Sequence, residues 1–354
     1  HENGFDAVIG VGGVVNALVP PHFEWVHRTC VYAPPTAKDP ADPLRWKLSM
    51  RMMQTPNSKE LQPEPWAPEN AVSYYTMNLD ILAAYDNVQP VFDALIGYDD
   101  AFVTTIEGFK EDAYGPQVDL RAEFVAAMGR RVTVVTDYQK PITPDSELYL
   151  YAIEAKDEKK LAATLDKIME HDPDGRRQQF GEVTIWEIVE EAHDFAELEL
   201  DAPLLSSLGG HDDDGDDAAE RLLPNSAVCV AKGYLLIAAG VDFLKEVLTA
   251  SALNEQLVES EDYQLAEDAL QGLASGALCG WSYARLEESV QPTYELLRQG
   301  RMPESNTTVG RLLNELLTTQ EQQDEGVLRK QQLDGSKLPE FDMVRQFVGS
   351  AGRV

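Results

Sequence analysis

Apolar residues are spaced along this chain in two rhythms, and their changeover sets out the elements. Phe23–Tyr32 reads as a strand, and in Arg45–Met53 the residues Trp46, Leu48, Met50 and Met52 alternate with Arg45, Lys47, Ser49 and Arg51, the period-2 pattern of a half-buried strand. Pro34, Pro35, Pro40 and Pro43 mark a turn-rich connection between them, and a second proline-rich stretch from Pro56 to Pro68 reads as a linker. Ala71–Asn78 is β-like, and Ile81–Ile96 takes on helical spacing. Strands over Arg131–Asp137 and Leu148–Ala155 flank a turn at Lys140–Asp145. A helix is expected over Asp157–His171, with Leu161, Leu165 and Ile168 on one face and Asp157 and Glu158 at its N-terminus.

Glu182–Val189 and Phe195–Leu200 follow as strands, the second alternating Ala196, Leu198 and Leu200 with Glu197, Glu199 and Asp201. Beyond residue 200 come a tight hairpin, Ala227–Ala231 and Tyr234–Ala239 across Lys232-Gly233, and a helix over Val241–Ala250. A strand over Ala277–Tyr283, a helix over Ser289–Gln299 and an amphipathic helix over Val309–Gln323 complete the pattern. Val88-Gln89-Pro90-Val91-Phe92-Asp93-Ala94-Leu95 echoes Val290-Gln291-Pro292-Thr293-Tyr294-Glu295-Leu296-Leu297, which suggests an internal duplication. The expected fold is α+β: a largely antiparallel sheet with helices on one face, built from units at 61–200 and 201–354, with 1–60 a β-rich segment of the first.

Charge narrows the partners. The formal net charge is −32 on 354 residues, and 178–220 holds 14 carboxylates with no Lys or Arg. Such a surface repels nucleic acid, which needs clustered basic side chains. No apolar run is long enough to span a bilayer. Three cysteines do not make a disulfide framework; Cys229 and Cys279 sit in apolar runs and would pair only if their strands are neighbours. The chain opens on His1, which fits a piece of a longer protein.

Candidate chemistry is sparse. Within Gly209–Asp217 the carboxylates of Asp212, Asp214 and Asp216 alternate, so an extended loop would turn three hard oxygen ligands to one side, as Ca²⁺ prefers. The EF-hand pattern fails there, because its glycine position is Asp217 and its bidentate glutamate position is Leu223; a solvated acidic loop is the competing reading. Glu187, Glu190, Glu191, His193 and Asp194 bring a titrating imidazole among carboxylates, without a partner nucleophile. His22 and His27 flank Trp25, with a parity that opposes joint metal binding. Gly10-Val11-Gly12-Gly13-Val14-Val15 departs from a dinucleotide-binding turn at Val15, where the third glycine belongs, and reads as a glycine turn. The G-x-S-x-G, G-x-x-x-x-G-K-[ST] and H-E-x-x-H signatures are absent, which argues against an enzyme.

Three phrases, Val72–Asp80, Val135–Pro144 and Thr184–Ile188, resemble a family of exported bacterial proteins that carries only a domain of unknown function. The later Gly233–Leu248 and Leu338–Arg345 are similar to its second half, so the resemblance spans most of 65–350. It implies a signal-bearing precursor, export to the periplasm, cell surface or exterior, and an α+β fold; it carries no catalytic residues. The leading expectation is a non-enzymatic structural or interaction protein of the cell envelope that assembles with copies of itself or with other envelope proteins. An envelope-associated carrier of lipid or another hydrophobic small molecule is the second expectation, and an unrecognised hydrolase the third.

Overall fold

A computed structural model describes residues 4–19, 23–35, 42, 46–58, 61–189, 226–253, 255–271, 273, 276–307, 310, 331–345 and 350–353. Two sheets are present. The smaller is a ribbon of β1 (Gly10–Val19) and β2 (Phe23–Tyr32). The larger joins β3 (Ser73–Asn78), β4 (Met128–Tyr138), β5 (Glu147–Ala155), β6 (Gly175–Phe180), β7 (Val183–Ile188), β8 (Ala227–Ala231), β9 (Tyr234–Ala238), β10 (Gly280–Arg285) and β11 (Ser350–Arg353). Its order is β11-β10-β3-β4-β5-β9-β8-β7-β6, and every paired neighbour is antiparallel.

Strands from before and after residue 200 therefore interleave, and the two expected units share one hydrogen-bonded layer. The β8–β9 hairpin turns at Lys232 and Gly233, whose φ values of +57° and +80° suit a two-residue turn that follows the twist of the strands. Its strands, Ala227–Ala231 and Tyr234–Ala238, are apolar at consecutive positions, the mark of a strand covered on both faces.

Both faces are indeed covered. On one, Tyr74, Val135, Leu150, Ile185, Cys229 and Leu236 pack beneath α5 (Val241–Leu253) and α6 (Glu261–Gln271). On the other, Trp186, Ile188, Val228 and Leu235 pack against α4 (Glu158–Met169). The chain is α+β on an antiparallel sheet, as its pattern predicts, but helices flank the sheet on two sides rather than one. Asp157 caps α4 by accepting from the Lys160 amide at 3.1 Å, and Leu161, Leu165 and Met169, four residues apart, make its buried stripe.

The predicted Ile81–Ile96 helix is broken into α1 (Ile81–Asn87) and α2 (Gln89–Ile96), followed by α3 (Ala101–Glu111); α7 (Leu286–Gln299) follows β10 directly. The two echoed octapeptides fall in α2 and α7. The period-2 stretch Arg45–Met53 is not a strand: Leu48–Met52 is a 3₁₀ turn with Ser49 and Met50 both buried. Alternation alone makes no strand without a neighbour to bond, and this segment packs against α1 instead. The expected strand at 195–200, the helix at 309–323 and the acidic loop holding Asp212, Asp214 and Asp216 lie outside the described residues.

Candidate functional site

Three features carry chemistry or contact potential. The first is a cleft of about 620 Å³ where the C-terminal end of β4, the middle of β6 and the end of β7 meet the first turns of α5. It brings Asp137, Glu187, Asp242 and Glu246 to one opening against a single lysine, Lys245, over a floor of Leu148 and Phe243. Alternation along β4 and β7 aims Asp137 and Glu187 to the face that holds Val135 and Ile185. Burial pushes the Asp137 carboxyl up to about 6, against the Tyr138 amide that donates to it at 2.7 Å; Glu246 and Glu288 add to the rise, and Lys140 opposes it. The Gln178 amide donates to the Glu187 carboxylate and fixes its direction. Among the described residues the lining holds no serine, threonine, cysteine or histidine. It can exchange a proton near neutrality and attract a cation.

Glu187 is the one member of the expected acid–base cluster found in this cleft; Glu190, Glu191, His193 and Asp194 lie outside the described residues. Among the described residues no group of three or more His, Cys, Asp and Glu side chains is placed to hold a metal ion. Cys229 and Cys279 are both free. Cys229 is in β8 and Cys279 precedes β10, five strand positions away, roughly 24 Å at ordinary strand spacing, so no bridge joins them.

The second feature is a buried charge network under the crossing segment 61–67. Arg131 pairs with Glu64 and the Gln62 carbonyl, and donates to the Tyr74 hydroxyl and Thr76 Oγ1, each at 3.1 Å. Tyr234 donates to Glu64 at 2.5 Å, and Trp66 lies edge-on to its ring at 5.2 Å between centroids. Burial and the Glu64 charge hold the Tyr234 phenol well above its ordinary range. These bonds fasten the segment 61–67 to the sheet.

The third is the β1–β2 ribbon. Gly10–Val15, a turn by its glycines, is instead extended and pairs with Arg28–Tyr32 and His27. Gly13 is required there: a Cβ would sit 2.7 Å from the Arg28 carbonyl oxygen, and the His27–Thr29 contact of 3.0 Å lies over the same spot. Val11, Val15 and Val31 occupy one face and are 66%, 56% and 58% exposed; Val14 and Tyr32 occupy the other and are 60% and 59% exposed. At the ribbon's base Gly4, at φ +79°, lets the backbone approach Lys47, and the Trp46 indole donates to the Ala33 carbonyl at 3.3 Å. No third strand joins the ribbon among the described residues.

No family model matches the chain, and no curated protein matches it. Among solved structures, crystal forms III and I of TP0453 align with 9% identity and a TM-score of 0.28. The alignments cover 64% and 67% of this chain and 65% and 67% of TP0453. A likeness of that degree says nothing about what this chain does. No helix among the described residues is long and apolar enough to cross a membrane.

Proposed function

We propose that this chain is a non-catalytic interaction protein of the bacterial envelope or exterior that assembles through the β1–β2 ribbon. The observation that carries the reading is five large apolar side chains more than half exposed on a ribbon of two strands. Such a ribbon is marginal in water and gains stability when another surface covers it. The missing catalytic signatures support the non-catalytic part, and the resemblance to an exported family supports the setting.

The test is light scattering after size exclusion on the intact chain and on Val11→Asp/Val15→Asp. Both positions are solvent-exposed and lie outside the nine-stranded sheet, so the variant keeps that sheet and its core. The wild type should elute above 39.3 kDa and the variant at that monomer mass. An unchanged assembly in the variant overturns the reading. A second reading, binding of a small cation, rests on the Asp137 cleft; titration calorimetry with spermidine that shows no heat above dilution would remove it.

A further inference from the structure

The ribbon's sequence and register specify a partner more closely than exposure alone, on the reading just given. We infer that the occupant is a second copy of this chain, joined β2 to β2 about a two-fold axis centred on Val26, so that two ribbons form one four-stranded antiparallel sheet.

Three observations carry it. First, the two strands differ as pairing edges. β1 contains Gly10, Gly12 and Gly13, which weaken a strand, whereas β2 reads Phe-Glu-Trp-Val-His-Arg-Thr-Cys-Val-Tyr with no glycine or proline. Second, β2 is self-complementary. An antiparallel pairing centred on Val26 places Glu24 of one copy opposite Arg28 of the other, twice by symmetry, and sets Phe23 opposite Thr29 and Trp25 opposite His27. A register moved by one position at the centre puts Glu24 opposite His27 or Thr29 and loses the charge match.

Third, charge favours a meeting there. Residues 5–32 carry Asp6 and Glu24 against Arg28, while the whole chain stands at −32, so two copies approach at the ribbon with little local repulsion. A bilayer is the poorer occupant, because hydrocarbon leaves the outer backbone groups of β1 and β2 without partners. A second β2 satisfies one full edge and supplies the third and fourth strands that a ribbon needs.

The experiment uses the full chain in light scattering across a concentration series, comparing wild type with Arg28→Glu, Glu24→Arg and the double swap. Each single substitution sets like charges opposite one another and should raise the dimer dissociation constant at least tenfold. The double swap should restore it, a recovery that misfolding cannot produce. In parallel, nitroxide labels on the exposed Cys30, with Cys279→Ser and Cys229 buried, should report pairs near the roughly 27 Å backbone separation of positions eight residues apart in this register.

Singles that dimerise as wild type does, a double swap as weak as the singles, or labels well away from that separation overturn the β2–β2 register. If Val11→Asp/Val15→Asp still yields monomer in that case, the ribbon reading stands and only the partner geometry falls. A wild-type monomer that floats with phosphatidylcholine or phosphatidylglycerol vesicles overturns the second-copy assignment in favour of lipid, and a wild-type monomer that does not float removes both readings.

Discussion

Tyr74 and Tyr283 stand directly opposite each other in the β3–β10 ladder, both fully buried, and close the sheet between the first and second halves of the chain. The halves thereby share one sheet and should unfold as one unit. Tyr283→Ala should cost about 3–5 kcal/mol, as loss of a buried aromatic does. Urea transitions of the unaltered chain followed by tryptophan fluorescence and by far-ultraviolet circular dichroism should coincide; separated midpoints would mean two folding units.

The Glu64–Arg131 pair yields a second expectation. Its side chains are 18% and 13% exposed, so removing the carboxylate strands a guanidinium away from water. Glu64→Leu should cost about 3–5 kcal/mol, and Glu64→Leu with Arg131→Met markedly less than the sum of the two singles. Chemical denaturation around the double-mutant cycle checks this, and strict additivity would contradict it.

Asp137 makes stability depend on pH in an unusual direction. Its folded value of about 6 lies above the value near 4 of an unfolded aspartate, so its contribution is complete below about pH 4 and is lost as pH rises through about 6. Asp137→Asn should therefore stabilise the protein at pH 7.5 by about 1–2 kcal/mol, a figure reduced for its partial exposure, and change little at pH 4. Melting temperatures at the two pH values decide the matter.

Asp262 works the other way. The Arg285 guanidinium, at 2.5 Å, and the Tyr283 hydroxyl, at 2.6 Å, hold its carboxyl well below the usual range. That stability is present above the unfolded value near 4 and is lost as the pH falls below it. With Asp262 itself 43% exposed and Arg285 only 11%, Asp262→Asn should cost about 1–3 kcal/mol at pH 7. The loss should shrink steadily as the pH falls below about 4 in acid titrations followed by circular dichroism.

Local elements were the readable part of the sequence. The β8–β9 hairpin announced itself through Lys232-Gly233 between apolar runs, and α4 through Asp157 and the spacing of Leu161 and Leu165. The unbroken apolar runs of β8 and β9 also signalled cover on two faces. Gly12 and Gly13 disguised β1 as a turn, because glycine marks both a chain reversal and a close backbone approach; at Gly13 it is the approach of the Arg28 carbonyl that demands it. Arg45–Met53 had a strand's rhythm and, among the described residues, no strand beside it, which no local window reveals. The Asp137 cleft draws on β4, β5, β6, β7 and α5, and only the strand order brings those five segments together.

That strand order also bears on how the chain is made. The hairpin at 227–238 occupies a slot between β5 and β7, both earlier in sequence. Until those residues leave the ribosome, the edges of β5 and β7 that border this slot have no partner, and neither does the edge of β3 that β10 later covers. Such edges recruit other chains, so the interval between synthesis of β7 and of β9 is the time of greatest exposure to aggregation. A ribosome pause inside the intervening acidic stretch would lengthen that interval, and the negative charge of that stretch would itself keep neighbouring nascent chains apart.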